Sequence, residues 1–152
     1  FGRMRRLGLL VSEAEGFVVH QAMLAEQPDG FSDTFRGMLE WGGRQPVQKL
    51  ANAYREIALA GAAVRAAFAP YAAVLMPTAP QTAFAFGDPP ASQADFTAIA
   101  NFTGLSATAF PMGITADGLP LSCQVVARNE ATAFGLAERL AVTVGAPVRY
   151  RG

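Results

Sequence analysis

The sequence predicts an α/β fold in which helices pack on a layered sheet. Two apolar runs, at 72–76 and 119–127, have the character of buried strands, and stretches with helical spacing alternate with them. Asp117-Gly118 predicts a turn between the second run and the apolar stretch that ends at Pro111, because glycine tolerates a positive φ. Since 119–127 is almost continuously apolar, we expect this strand to be covered on both faces.

The first quarter of the chain predicts two helices. Residues 12–15 form a capping box, so a helix is expected from about Glu13 to Glu26. The preceding run at 7–11 fits either the end of a strand or a preceding helix. Ser32 is expected to cap a short helix that ends near Gly42-Gly43.

The longest predicted helix begins after Pro46 and continues to about Ala69, because apolar residues repeat there at helical spacing. Pro70 ends it, and the strand at 72–76 follows. The next stretch, 78–92, is rich in glycine and proline. A loop of this length and composition is expected to be ordered and to line a site.

In the last third, the pattern Ser92-x-x-Asp95 predicts the cap of a helix that Gly104 closes in the left-handed conformation. Asn129 is expected to cap the last helix, over 130–144, which closes at Gly145.

Composition favours a piece of a larger fold over a self-contained domain. Hydrophobic residues make up 51% of the 152 residues and charged residues only 16%. Ordinary domains carry about 25% charged residues. We therefore expect residues 1–152 to form a single partial domain whose inner surfaces are covered by further chain; a compact alanine-rich domain is the alternative.

Charge and apolar patterning exclude several functions. The formal net charge of +0 leaves no excess of positive charge to attract phosphates, so no nucleic-acid partner is expected. No apolar run approaches the roughly 20 residues that span a bilayer, so no membrane role is expected and the cytoplasm is the default setting. The single Cys123 excludes an internal disulfide, and we expect it to be a small buried apolar residue.

The spacing of several short motifs is similar to the C-terminal region of the amidase signature hydrolases. These motifs are Val74 to Pro80, Asn101-x-Thr103-Gly104-Leu105, Phe110-Pro111-x-Gly113, Gly118-Leu119-Pro120 and Gln124. The resemblance runs from about Glu13 to about Ala137. It implies the C-terminal part of an α/β/α sandwich with a mixed β-sheet core and helices packed on the sheet. Ser106 and Ser122-Cys123 depart from the family pattern, which leaves the subfamily open.

The resemblance implies amide hydrolysis by a serine, a second serine held by a cis peptide, and a lysine base. A serine hydroxyl needs such a base to become a nucleophile. The five serines of this chain stand singly, and Lys49, its only lysine, lies on the exposed side of a helix pattern. We therefore assign no catalytic residue here and expect the catalytic groups to lie upstream.

Other catalytic or metal sites would depend on His20, the only histidine. A Ser-His-Asp triad or a metal site needs additional partners at suitable positions. His20 is interpreted as an ordinary helix or interface histidine, and no metal or cofactor is expected.

The resemblance suggests one substrate-binding residue. In the glutamine-specific transamidase branch, an arginine in the segment that matches 35–39 holds the substrate carboxylate, which makes Arg36 the candidate here. A surface arginine is the alternative. Asp95 is offset by one residue from an aspartate that this branch uses, so helix capping is its expected role.

The leading interpretation is the C-terminal part of an amidase, which supplies sheet framework and one wall of a substrate pocket. Its expected partners are the upstream portion of the same amidase and a small amide substrate; self-association into homo-oligomers is left open. The alternative is a non-catalytic module, derived from the same fold, that packs or binds a small ligand.

Overall fold

The computed structural model describes residues 2–144, with side chains to residue 141. Within them, residues 3–60 form one compact unit, and residues 61–144 together with Gly2 form another. The elements in chain order are α1 (Gly2–Glu26), a short 3-10 helix (Pro28–Gly30), α2 (Asp33–Gly43), α3 (Val47–Phe68), β1 (Ala73–Pro77), α4 (Ala98–Thr103), β2 (Ser106–Ile114), β3 (Pro120–Ala127) and α5 (Glu130–Val144).

Helix α1 is longer than expected. It begins at Gly2, so residues 7–11 are helical and the predicted start at Glu13 is wrong. A capping box is useful only where backbone N–H groups lack partners, whereas within a helix they already donate to carbonyls four residues earlier. Leu10 is 4% exposed, and its burial stabilises the added turns.

Helix α2 follows the prediction closely. The hydroxyl of Ser32 accepts a hydrogen bond from the N–H of Phe35 at 3.3 Å, which confirms the cap. At the other end, Gly42 lies against α1: a Cβ added there would be 2.3 Å from the carbonyl carbon and oxygen of Glu13. Glycine at this position lets the two helix backbones approach closely.

Helix α3 confirms the long helix expected after Pro46. In the unit of residues 3–60, the Tyr54 hydroxyl donates a hydrogen bond to Glu15 Oε1. This bond raises the pKa of Tyr54 above its usual 10.0, with smaller contributions from burial and from the negative charge of Glu15.

The raised pKa of Tyr54 predicts a loss of stability at alkaline pH. The neutral phenol makes the bond, so its contribution is present below pH 10 and is lost as pH rises through the folded-state pKa. Melting temperatures of the wild type and Tyr54→Phe should therefore differ at pH 7 and converge above pH 10. Glu15→Gln, which keeps an acceptor without the charge, should lose stability at a lower pH than the wild type. A difference between wild type and Tyr54→Phe that stays constant with pH would contradict this role.

Three strands form an antiparallel sheet in the order β1-β3-β2. Val74 lies opposite Val126, and Leu75 lies opposite Val125, which confirms that these two apolar segments are adjacent strands. The hydrogen-bonded neighbours in this described part of the sheet all run antiparallel.

The sequence predicted that strand β2 ends at Pro111. This prediction is wrong, because the strand continues to Ile114. The ladder shifts register between Pro111 and Gly113. Proline cannot donate to a ladder and is tolerated at such irregularities. Gly113 has a φ of +153°, a conformation that side chains disfavour, so glycine suits the shift.

Strand β3 is covered only over its second half. Gln124 to Ala127 are buried, whereas Pro120 and Ser122 are exposed, so the expectation of cover along the whole strand is wrong. Helix α5 packs on one face, where Phe110, Val125 and Ala137 form a core cluster. Cys123 is half-buried, less than expected, with its sulfur 3.0 Å from that of Met112.

In the unit of residues 61–144, the structure confirms two of the three helix caps that the sequence predicted. Asn129 accepts a hydrogen bond from Thr132 N–H at 2.9 Å, and Gly104 ends α4 with a φ of +67°. The third cap is wrong: α4 begins at Ala98, and the N–H of Asp95 donates to the Ser92 carbonyl in a preceding turn. The predicted closure of α5 at Gly145 lies outside the described residues.

Helices and antiparallel strands together confirm the α/β class. In the same unit, the end of α3 contacts α4, where Arg65 Nη1 donates to the Thr103 carbonyl at 2.9 Å. None of the described helices combines the length and the apolarity that spanning a bilayer requires.

Candidate functional site

A groove of about 450 Å³ lies at the carboxyl end of β1, in the unit of residues 61–144. Its walls are formed by Pro77, the segments 79–84 and 120–122, Gln93 and Met112. The loop that the sequence predicted to line a site therefore does so over its first half. The lining residues include no lysine, histidine or carboxylate, so the hydroxyl of Ser122 has no base among them.

Three polar groups around this end of the sheet lack a hydrogen-bond partner within the described residues: Thr78 Oγ1, Gln81 Oε1 and Gln124 Nε2. Gln124 is only 3% exposed. Buried polar groups are almost always paired, and an unpaired one costs roughly 1–3 kcal/mol. These atoms are therefore unpaired polar groups near the end of the sheet that borders the groove.

The register of the strands places two of these residues on one face. Gln124 lies opposite Met76, and the N–H of Thr78 donates to the Ser122 carbonyl at 3.0 Å, so the ladder continues past β1. Residues two apart in a strand share a face. Of the three residues, Gln81 lines the groove, whereas Thr78 and Gln124 do not.

Sequence reasoning gave no site role to Gln81 or Gln124. Gln124 was named only as one of the motif residues of the family resemblance. A glutamine inside the apolar run 119–127 is itself a signal, since a buried amide needs partners.

Arg36 lies on α2, in the unit of residues 3–60. Its Nη2 is 2.6 Å from Asp33 Oδ1, and its Nη1 is 3.4 Å from the Pro28 carbonyl oxygen. The Arg36 side chain is 32% exposed and that of Asp33 is 94% exposed. An exposed pair three residues apart on a helix contributes only about 0.2–0.5 kcal/mol. Asp33 therefore holds the guanidinium only weakly.

The remaining candidates occupy ordinary structural positions. The exposed Lys49 places Nζ 2.7 Å from Gln45 Oε1 and 5.0 Å from the centre of the Trp41 ring. His20 makes edge contacts with the rings of Phe31 and Phe35, at 5.9 and 5.8 Å between centroids.

The part of the chain that the structure describes contains no group of three or more His, Cys, Asp or Glu side chains that could hold a metal ion. Its peptide bonds are all trans.

Comparisons with known proteins agree with the motifs. A model of the Amidase family matches residues 4–131, most of the chain. A glutamyl-tRNA(Gln) amidotransferase subunit from Hyphomonas neptunium is 37% identical over 89 residues, which cover 51% of this chain and 18% of that protein. This chain thus spans less than a fifth of that relative's length.

Two solved structures share the fold. An amidase crystal structure superposes with a TM-score of 0.81 at 22% identity, over 93% of this chain and 36% of that one. A chain from a vestigial complex that reveals the evolutionary origins of an s-triazine catabolic enzyme gives a TM-score of 0.78 at 22% identity, over 92% of this chain and 33% of that one. With the family model matching most of its residues, the chain belongs to the amidase family.

Proposed function

We propose that this chain is the C-terminal part of an enzyme that hydrolyses carboxylic amide bonds, and that it supplies the sheet framework and one wall of the substrate pocket. The observation that carries the proposal is the groove at the carboxyl end of β1 in a chain of the amidase family. The amide side chains of Gln81 and Gln93 in the lining of this groove suit a substrate that is itself an amide.

The bond-breaking groups are proposed to lie in a preceding segment. There, a serine attacks the amide carbonyl, a second serine on a cis peptide relays its proton to a lysine, and backbone N–H groups hold the negative oxygen of the tetrahedral intermediate. The acyl-serine that remains after the amine leaves is then hydrolysed by water. The residues described here bind and orient the substrate and exclude water from one side of it.

This proposal implies a restricted set of partners. The upstream portion of the same amidase completes the sheet, and a small amide occupies the pocket, in the cytoplasm. A direct test is the open reading frame upstream of Phe1: a segment with a lysine and a Gly-Ser-Ser-Gly-rich stretch should precede it. A start codon close to Phe1, with no such segment, would favour the non-catalytic alternative.

Arg36 is proposed to hold the carboxylate of an acidic or zwitterionic amide substrate. A guanidinium binds a carboxylate through two parallel hydrogen bonds, whereas Asp33 engages Nη2 alone. The Asp33 pair would keep the guanidinium in place until the substrate displaces it.

Arg36→Met should raise KM for a carboxylate-bearing amide by about tenfold to a hundredfold, the effect of losing a charged hydrogen-bond pair of roughly 1.5–3 kcal/mol. KM for a neutral amide should change little. Steady-state kinetics of the full-length enzyme with both substrates would measure this. Arg44→Met is the matched control, because Arg44 directly follows α2 and makes an exposed contact of 3.8 Å with Glu40. Equal effects of Arg36→Met on both substrates would exclude the role.

A further inference from the structure

A second cavity lies at the opposite end of β1 from the groove, within the unit of residues 61–144. It has a volume of about 240 Å³. Its apolar and aromatic walls include Phe68, Tyr71, Val74 and Val126, and two arginines, Arg65 and Arg128, also line it. The amide-hydrolysis proposal assigns no role to it.

The two arginines make this cavity positively charged. Arg65 Nη1 donates to the Thr103 carbonyl at 2.9 Å, and Arg128 Nη2 donates to the Ala69 carbonyl. Neither guanidinium forms an ion pair with any carboxylate in the described part of the chain, and no Asp or Glu lines the cavity. Each guanidinium carries five N–H donors, so donors remain after these single bonds.

The walls restrict the kind of anion that fits. Phe68 and Val74 are half-buried, whereas Tyr71 and the two arginines are exposed, so apolar surface lies next to charges at an open cavity. A bare phosphate would leave that surface uncovered, whereas an acid with an apolar group would bury it. The volume is below the roughly 300–1,000 Å³ of pockets for drug-sized ligands, which limits the apolar group to about one ring.

We propose that this cavity binds a small carboxylic acid with one aromatic or branched apolar group, whose carboxylate is held by Arg65 and Arg128. A guanidinium binds carboxylates strongly because its planar N–H groups match the two oxygens. The aromatic side chains at Phe68 and Tyr71 provide surfaces against which a ring can pack. The site is independent of the amide-hydrolysis proposal and can stand if that proposal fails.

The experiment is a calorimetric titration of the full-length protein with benzoate. Benzoate should bind saturably, and raising the salt concentration should weaken binding because partly exposed charges are screened. Benzyl alcohol, of similar shape but without charge, should bind at least about tenfold more weakly, since a charge-assisted hydrogen bond contributes roughly 1.5–3 kcal/mol.

Variants then locate the site. Arg128→Met should raise the Kd for benzoate by about tenfold or more, and Arg128→Lys by less, because it keeps the charge but not the fork. Ala72→Leu places bulk in the cavity without removing charge and should also weaken binding. Arg36→Met, at the candidate substrate residue, should leave the Kd unchanged.

The proposal is overturned if benzoate does not bind saturably, or if benzyl alcohol binds as tightly. It is also overturned if Arg128→Met and Ala72→Leu, each with a circular dichroism spectrum like that of the wild type, both leave the Kd unchanged. Weakening by Arg36→Met alone would assign the benzoate to Arg36 instead.

Discussion

Gly42→Ala should destabilise the protein by about 3 kcal/mol or more, which is the upper part of the range for overpacked positions. The added methyl group would lie 2.3 Å from the Glu13 carbonyl carbon and oxygen and 2.6 Å from the nitrogen of Ala14. These are backbone atoms of α1, so no side-chain rotation relieves the contact. Helices α1 and α2 would have to separate, and buried Leu10 and Leu39 would lose contacts.

Gly37→Ala is the matched control, in the same helix. Nothing lies within 4 Å of a Cβ added at Gly37, so this change should stabilise the protein by up to about 1 kcal/mol through higher helix propensity. Urea unfolding of the protein expressed from its native gene, followed by circular dichroism, measures both. If the two variants unfold at the same urea concentration, α1 and α2 do not approach as closely as described.

Local sequence signals predicted elements well where a single turn or cap decides the structure. Ser32 and Asn129 cap α2 and α5 as expected, since the side-chain oxygen reaches a free N–H within three residues. The same reasoning failed at Ser12 because the pattern of a capping box says nothing about whether the chain before it is already helical. Here the chain before Ser12 is helical, and the burial of Leu10, which is 4% exposed, stabilises those added turns.

The extent of a strand depends on partners that are distant in sequence. Pro111 was interpreted as an end, but pairing with β3 carries β2 through a register shift to Ile114. The apolar run 119–127 predicted cover on both faces, yet its first half has exposed residues. Composition cannot show which part of a strand a helix such as α5 will cover.

The candidate site was predicted in part. The glycine- and proline-rich loop after β1 does line a groove, as its composition suggested. Gln81 and Gln124 were missed because an unpaired buried atom becomes visible only when the packing around it is known. The family resemblance suggested Arg36 as the residue that binds a substrate carboxylate. In the structure Arg36 contacts Asp33 and Pro28, and the binding role stays a prediction.

The 152-residue chain, expressed alone, should show no amide hydrolysis above the uncatalysed rate. Substrate binding does not activate a nucleophile, and the groove lacks a base that could do so. Enzymes accelerate such reactions by at least about 10⁶-fold, so the difference from the full-length enzyme should be very large. The assay is release of amine from a simple aryl or alkyl amide by equal concentrations of both proteins.

The isolated chain should also associate with itself, whereas co-expression with the upstream segment should give a soluble complex that turns over amides. Val18 and Val19 on α1 are 64% and 73% exposed, and Ile114 at the end of β2 is 60% exposed. Apolar surface and open strand edges of this kind promote association. Size-exclusion chromatography of the isolated chain and of the co-expressed complex tests the association. The control for the activity is Lys49→Ala, because Lys49 is the only lysine of the chain. Turnover by the isolated chain that disappears in this variant would place the catalytic base on α3.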